Sequence, residues 1–300
     1  MPVKREIQHQ WSLASADLHD AYTDFILSRQ AAHCTPATLQ FYKFTAGKFI
    51  EYLTTQNVNA PGGVAARHVR AYLAALPGKS WTVNDHARAI RTLLKFWYAE
   101  KYLPAPILFD MPRVEKTRQP VLTAQEVKQV LAACDVREKA IIMLFVDTGL
   151  RRSEVIALDW QDVDIKTGLC LVKRGKGGKA RSVVVGATTR RALLAYRRTI
   201  GAKDTDPLIQ NRSGDRFTGP GLLQLFRRIG KHAGIPLNCH MLRRTFAILA
   251  LRSGLSVLHL QALLGHSSLK MVKHYVELLD DDLLEAHEAH SPIDNLARSK

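Results

Sequence analysis

Several short patterns in the C-terminal part of this 300-residue chain place charges and proton carriers at spacings that can do chemistry. In Thr148-Gly149-Leu150-Arg151, followed by Ser153-Glu154, an arginine comes just after a helix-ending glycine and is held at a defined turn. Its planar fork can bind two phosphate oxygens at once, or it can simply pair with a carboxylate at the surface. In His240-Met241-Leu242-Arg243, a titratable imidazole and a permanent cation lie three positions apart, which points them the same way on a helix. Any basic helix can show such a pair. In Leu264-Gly265-His266-Ser267-Ser268, a histidine sits past a glycine stop, where it either caps the helix or turns its ring into a cleft. Tyr275 follows on the next helix or beside it, and taken singly it is a core aromatic.

Composition narrows the partner. The apolar content, 46%, is ordinary for a globular protein, but the formal net charge is +16. Such a chain repels itself and attracts polyanions, nucleic acid first. Lys and Arg are spread through the chain, often in pairs such as Arg151-Arg152 and Arg243-Arg244, rather than concentrated beside an amphipathic anchor. No apolar run approaches the ~20 residues that span a bilayer, and residues 1–10 lack the apolar core of a signal peptide. Cys34, Cys134, Cys170 and Cys239 are isolated, which argues against a disulfide framework or a zinc site and for reduced thiols in the cytoplasm.

The elements that position these residues fall into two parts. Residues 12–103 read as short helices without a strand signal. The clearest starts at Thr35 as N-cap with Pro36 behind it, and carries Leu39, Tyr42, Ala46, Phe49 and Leu53 on one face. A second runs from Trp81 to Tyr102. Prolines at 104, 106, 112 and 120 mark a basic linker over 104–120. Residues 121–290 form the second domain, with 291–300 as a tail. Thr123 and Glu126 make a capping box, with Leu122 and Val127 as its hydrophobic staple. A buried helix is predicted over Lys139–Val146. After a short strand at Val163 and Ile165, Leu169–Val172 and Ser182–Val185 read as a β-hairpin around Gly175-Lys176-Gly177-Gly178-Lys179. The remainder reads as helical to about His290, with stops at Gly254 and Gly265. The fold class is therefore mainly α with a small antiparallel β-sheet.

Taken together, TGLR with Ser153-Glu154, the basic hairpin, HxxR, LLGH and Tyr275 resemble, in that order, the tyrosine recombinase (phage integrase) family. The spacing is similar to its Xer-like members. The resemblance covers about residues 121–289. The N-terminal helices resemble more loosely that family's SAM-like core-binding domain. It implies a site-specific recombinase working on double-stranded DNA with specific recombination sites, as a synaptic tetramer, in the cytoplasm on the nucleoid, with no cofactor, no metal and no membrane partner. It implies that Arg151 and Arg243 clamp the scissile phosphate, that His240 acts as acid or base, and that His266 donates a hydrogen bond. It further implies that Lys176 protonates the leaving 5′-oxygen and that Tyr275 is the nucleophile. Lys173, Arg174 and Lys179 lie close to Lys176 and would serve equally as backbone contacts. Glu154 is expected to support Arg151 rather than react.

The physics of the cut suits those types. Two fixed guanidinium groups and a histidine donor stabilise the negative charge that gathers on the non-bridging oxygens. An ordinary phenol with a pKa near ~10 is about three units from ionised at pH 7, roughly 4 kcal/mol, a cost that an imidazole and a positive cleft reduce. A covalent link conserves the phosphodiester energy, so rejoining needs no ATP. Two departures stand out. Arg244 occupies a position where the family often has histidine, and Phe246-Ala247 is followed by Ile248-Leu249 rather than a Thr-His or Ser-His pair. The loop Gly175–Ser182 lacks the spacing of a nucleotide-binding loop, and His287-Glu288-Ala289-His290 is one residue short of a zinc-protease motif.

Overall fold

The computed structural model of the chain describes residues 17–115, 119–173 and 180–265, together with the single positions 268, 272, 275, 291 and 293. The chain divides into two compact units, Met1–Thr117 and Arg118–Lys300.

The first unit packs α1 (Leu18–Ala31), α2 (Pro36–Thr55), α3 (Ala66–Ala75) and α4 (Ser80–Ala99) around Phe25, Phe49, Ile90, Leu93 and Trp97. Thr35 caps α2 as its sequence suggests, its hydroxyl accepting from the Thr38 amide. The Trp97 indole is buried but satisfied, donating to the Ala21 carbonyl at 3.0 Å. Helix α4 stops short of the predicted Tyr102, because Lys101 takes a left-handed conformation (φ 63°) that ends the turn. The proline-rich stretch after it turns back onto α4. Asn84 donates to the Pro112 carbonyl, and Arg91 donates to the Phe109 carbonyl while lying over the Phe109 ring.

The second unit is built around α6 (Val136–Thr148), whose Ala140, Ile141, Ile142, Leu144 and Phe145 are all fully buried. A helix that apolar on every side belongs in the interior. It begins three residues before the predicted start, because Asp135 and Glu138 form a capping box of their own. The predicted capping box at Thr123 and Glu126 opens α5 (Ala124–Ala132). After α7 (Arg152–Ala157) the hairpin pairs β1 (Leu169–Val172) with β2 (Arg181–Val184), antiparallel, with Leu169 opposite Val184 and Val172 opposite Arg181. The predicted strand at Val163 and Ile165 reduces to an isolated bridge between Val163 and Cys170.

The prediction that the chain beyond the hairpin is helical, apart from stops at Gly254 and Gly265, fails at residues 201–218. Helix α8 (Ala187–Ile200) ends at Gly201, which is left-handed. Asp204, Pro207, Asn211 and Gly214 then favour turns over helix. The segment docks through Leu208, whose amide donates to the Leu158 carbonyl, and closes on itself at the Gln210–Arg216 bridge. Helices α9 (Gly219–Ala233), α10 (Cys239–Arg252) and α11 (Val257–Leu264) follow. A small apolar cluster of Ala247, Ile248, Leu260, Leu264, Val272 and Tyr275 closes the unit.

Gly149 marks the junction of α6 with the Arg151 turn. Its φ is +60°, and a Cβ there would lie 2.2 Å from Phe246 Cδ1 and 2.9 Å from Leu264 Cδ2. Backbone strain and overpacking act together, so Gly149→Ala is expected to destabilise the protein by about 3 kcal/mol or more. Denaturant unfolding of the two proteins checks this, and equal midpoints would remove the argument for a glycine at this turn.

Candidate active site

Arg151 is the N-cap residue of α7. Its backbone amide donates to Glu154 Oε2 and its Nη1 to Glu154 Oε1, each at 2.8 Å. Nη2 reaches the Gly265 carbonyl at 3.4 Å. The guanidinium is thus held from behind by a carboxylate, with 21% of the side chain still exposed. Glu154 itself is buried, and all four of its lone-pair sites are filled, because Arg181 Nη1 and Nη2 also donate at 2.8 Å each. Burial alone would raise its pKa. The hydrogen bonds from Arg181 and from the Arg151 amide outweigh burial and hold it at about 2. Its position beneath Arg151, fully bonded, makes Glu154 a support for that arginine.

Arg243, in the second turn of α10, is 5% exposed. It donates from Nη1 to the Gly149 carbonyl and from Nη2 to the Leu264 carbonyl at 2.8 Å. Both acceptors are C-terminal groups of helices, α6 and α11, where orphan carbonyls and the negative dipole end favour a cation. The guanidinium is also hydrogen-bonded to the Tyr275 side chain. Burial and then repulsion from Arg151 pull its pKa down to about 10, against the pull of Tyr275 and Glu154, so it stays charged at neutral pH. Tyr275 is helical and 8% exposed, its ring against Val272, Leu264 and their neighbours and its polar end on the cation.

His240 lies in the first turn of α10, which Asn238 caps through the Met241 amide at 2.9 Å. It is exposed, but the surrounding protein partly desolvates it, and Arg244, Arg243, Arg152 and Arg151 repel a further positive charge. Its pKa is therefore lowered. Of the residues singled out by sequence, Arg151, Glu154, His240, Arg243 and Tyr275 come together here. Lys176 and His266 lie outside the described residues, as do Arg174 and Lys179 of the same loop.

Sequence reasoning missed Arg181. It read Arg244 as a departure without foreseeing its place. Arg181 sits at the start of β2, and its partner Glu154 lies 27 positions earlier, beyond the reach of any local signal. Arg244 donates from Nε and Nη2 to the Pro120 carbonyl at 3.1 Å and lies within electrostatic reach of Tyr275. Among the described residues, no group of His, Cys, Asp or Glu is arranged to hold a metal ion. No helix among them is long and apolar enough to cross a membrane.

The phage integrase family profile matches residues 120–281. Tyrosine recombinase XerA of Saccharolobus solfataricus is 29% identical over 285 residues, covering 90% of this chain and 91% of that protein. Tyrosine recombinase XerD of Bifidobacterium longum is 27% identical over 282 residues, covering 85% of this chain and 91% of that protein. The crystal structure of XerA recombinase superposes with a TM-score of 0.54 at 25% identity, over 91% of this chain and 99% of that one. A lambda integrase dimer bound to a COC′ core site superposes with a TM-score of 0.72, over 87% of this chain and 95% of that one, a likeness of fold at 20% identity. With the family profile running across the unit that gathers Arg151, Arg243 and Tyr275, the chain belongs to the phage integrase family of tyrosine-type site-specific recombinases.

Proposed function

We propose that the chain cuts and rejoins double-stranded DNA at specific recombination sites, with Tyr275 as nucleophile, and so carries out integration, excision or resolution between paired sites. The observation that carries this reading is the hydrogen bond between Arg243 and the Tyr275 side chain beside Arg151. A phosphate seated on the two guanidinium groups would meet the phenol directly. The phenol oxygen bonds to phosphorus and the bond to the 5′-oxygen breaks, leaving a 3′-phosphotyrosyl link. The departing oxygen takes a proton, for which Lys176 is the proposed donor. Arg151 and Arg243 stabilise the charge on the non-bridging oxygens, with His266 as the proposed third donor. His240, kept neutral by its surroundings, is free to accept the phenol proton. No cofactor is required by this scheme.

The rest of the reading is supported by the DNA-bound neighbours and by the charge of the chain. The lambda integrase neighbour is a dimer on a core site, and a XerH neighbour is bound to its difH substrate. By analogy, this chain is proposed to contact DNA both with its helical unit, residues 12–103 as the core-binding domain, and with its catalytic unit, residues 121–290, the two being joined by the basic segment 104–120. Two sites would be brought together in a tetramer. The C-terminal segment from Asp280 to Leu296 would dock on a neighbouring protomer. A reduced cytoplasmic setting on the nucleoid fits the four separate thiols and the +16 charge.

Two measurements test the chemistry. The full chain is mixed with a randomised pool of duplexes, each carrying a nick near its centre so that cleavage releases a short fragment and traps the link. A denaturation-resistant protein–DNA adduct is expected, and Tyr275→Phe should reduce it by at least about 10³-fold while binding persists. An equal adduct from both proteins would remove Tyr275 from the reaction. Separately, an NMR titration of the DNA-free protein should place the His240 midpoint below the ordinary 6.5, because burial and four arginines favour the neutral ring. A midpoint above 6.5 would contradict the proposed proton acceptor.

A further inference from the structure

Arg151 and Arg243 are not anchored independently. Starting from Arg151, a path of hydrogen bonds runs to Glu154, from Glu154 to Arg181 Nη1 and Nη2, and from Arg181 Nε to the Leu263 carbonyl at 3.1 Å. One peptide further, the Leu264 carbonyl receives Arg243 Nη2, and Arg243 Nη1 returns to the Gly149 carbonyl, two residues before Arg151. The circuit is closed. Its links come from α6, α7, β2, α10 and α11, and Arg181 is the contribution of the hairpin. Only 14% of the Arg181 side chain is exposed, and it is packed tightly enough that a Cβ added at Gly265 would stand 3.0 Å from its Nε.

We infer that Arg181 is a positioning residue for the cleavage step: by joining Glu154 to the last carbonyls of α11, it sets the separation and orientation of Arg151 and Arg243. The inference rests on the recombinase reading. A planar fork is essential to it. Arg181 meets both oxygens of one carboxylate and, through its third nitrogen, a backbone carbonyl on a different element. A lysine supplies the charge but as a single point, and cannot hold both elements in fixed geometry. Arg181 therefore differs from an arginine that merely neutralises Glu154. Charge neutralisation survives replacement by lysine, and positioning does not. Misplacement of catalytic groups by about 1 Å costs on the order of 100-fold in rate.

The test compares the wild-type full chain with Arg181→Lys. A nicked duplex recovered from the adducts is used under single-turnover conditions, with affinity measured separately by anisotropy. The expected result is a cleavage rate lower by about 100-fold, duplex affinity within about 3-fold of wild type, and a cooperative thermal transition in both proteins. In the DNA-free variant, the Arg151 and Arg243 guanidinium protons should also exchange faster than in the wild type. Wild-type cleavage by Arg181→Lys, or loss of cleavage only in proportion to lost affinity, overturns the inference alone. Absence of any adduct from the wild-type chain overturns the recombinase reading and the inference with it. If Arg181→Lys fails to fold, the double variant Glu154→Gln/Arg181→Met, which removes both buried charges together, takes its place. It must bind DNA and cleave slowly for the inference to stand, and rapid cleavage by it overturns the inference.

Discussion

A guanidinium at 5% exposure is costly to bury unless both its charge and its donors are answered, and Arg243 is answered by three separate parts of the chain. The Gly149 carbonyl exists as a free acceptor because α6 ends there in a left-handed glycine. The Leu264 carbonyl is free because α11 ends at the left-handed Gly265. Tyr275 supplies the third contact from beyond α11. Each acceptor is available only if its helix stops at the right residue, so the cation ties together the ends of two helices. Gly149 permits the turn and also leaves room for Phe246 and Leu264, which pack where a side chain would stand. Removing Arg243 would strand helix-end carbonyls in the interior, whereas removing a surface arginine would strand nothing.

This explains what the sequence could and could not say. The capping boxes, the glycine stops and the hairpin flanks were readable because they are local: a Thr, Glu or Gly acts on amides within a few residues. The start of α6 lies ahead of its apolar run, where Asp135 and Glu138 carry the same local signal. Residues 201–218 depart from the expected helix because turn-formers there outnumber a weak apolar pattern. Five members of the site could be named from motif order, but not their anchoring. Nothing in the local sequence around Arg181 says that its partners are Glu154, 27 positions earlier, and Leu263, 82 positions later. Contacts of that span depend on where the hairpin lies against α11, which only packing decides. Arg244 is a similar case. Its side chain reaches Pro120, 124 positions away, and fastens the entry of the second unit beside Tyr275. Thr245, next in sequence, does the same from the buried side by accepting from the Leu122 amide at 2.9 Å.

The remaining tension is electrostatic. Arg151, Arg152, Arg243 and Arg244 all act on His240, while Glu154 is fully committed to Arg151 and Arg181. The DNA-free site is therefore over-positive, and it shows this in the lowered pKa values of Arg243 and His240, in which burial acts first and repulsion from neighbouring arginines adds to it. An entering phosphate relieves that repulsion, which adds a local, directed attraction to the general pull of the +16 chain on a polyanion. The same relief acts on the imidazole. With the arginines facing a phosphate, the repulsive part of the depression at His240 would weaken and its affinity for a proton would rise, as the proposed transfer from the phenol requires. In the proposed reaction, a ring held neutral before substrate arrives, and made more basic by the substrate's own charge, would be matched to accepting the phenol proton when a phosphate is in place.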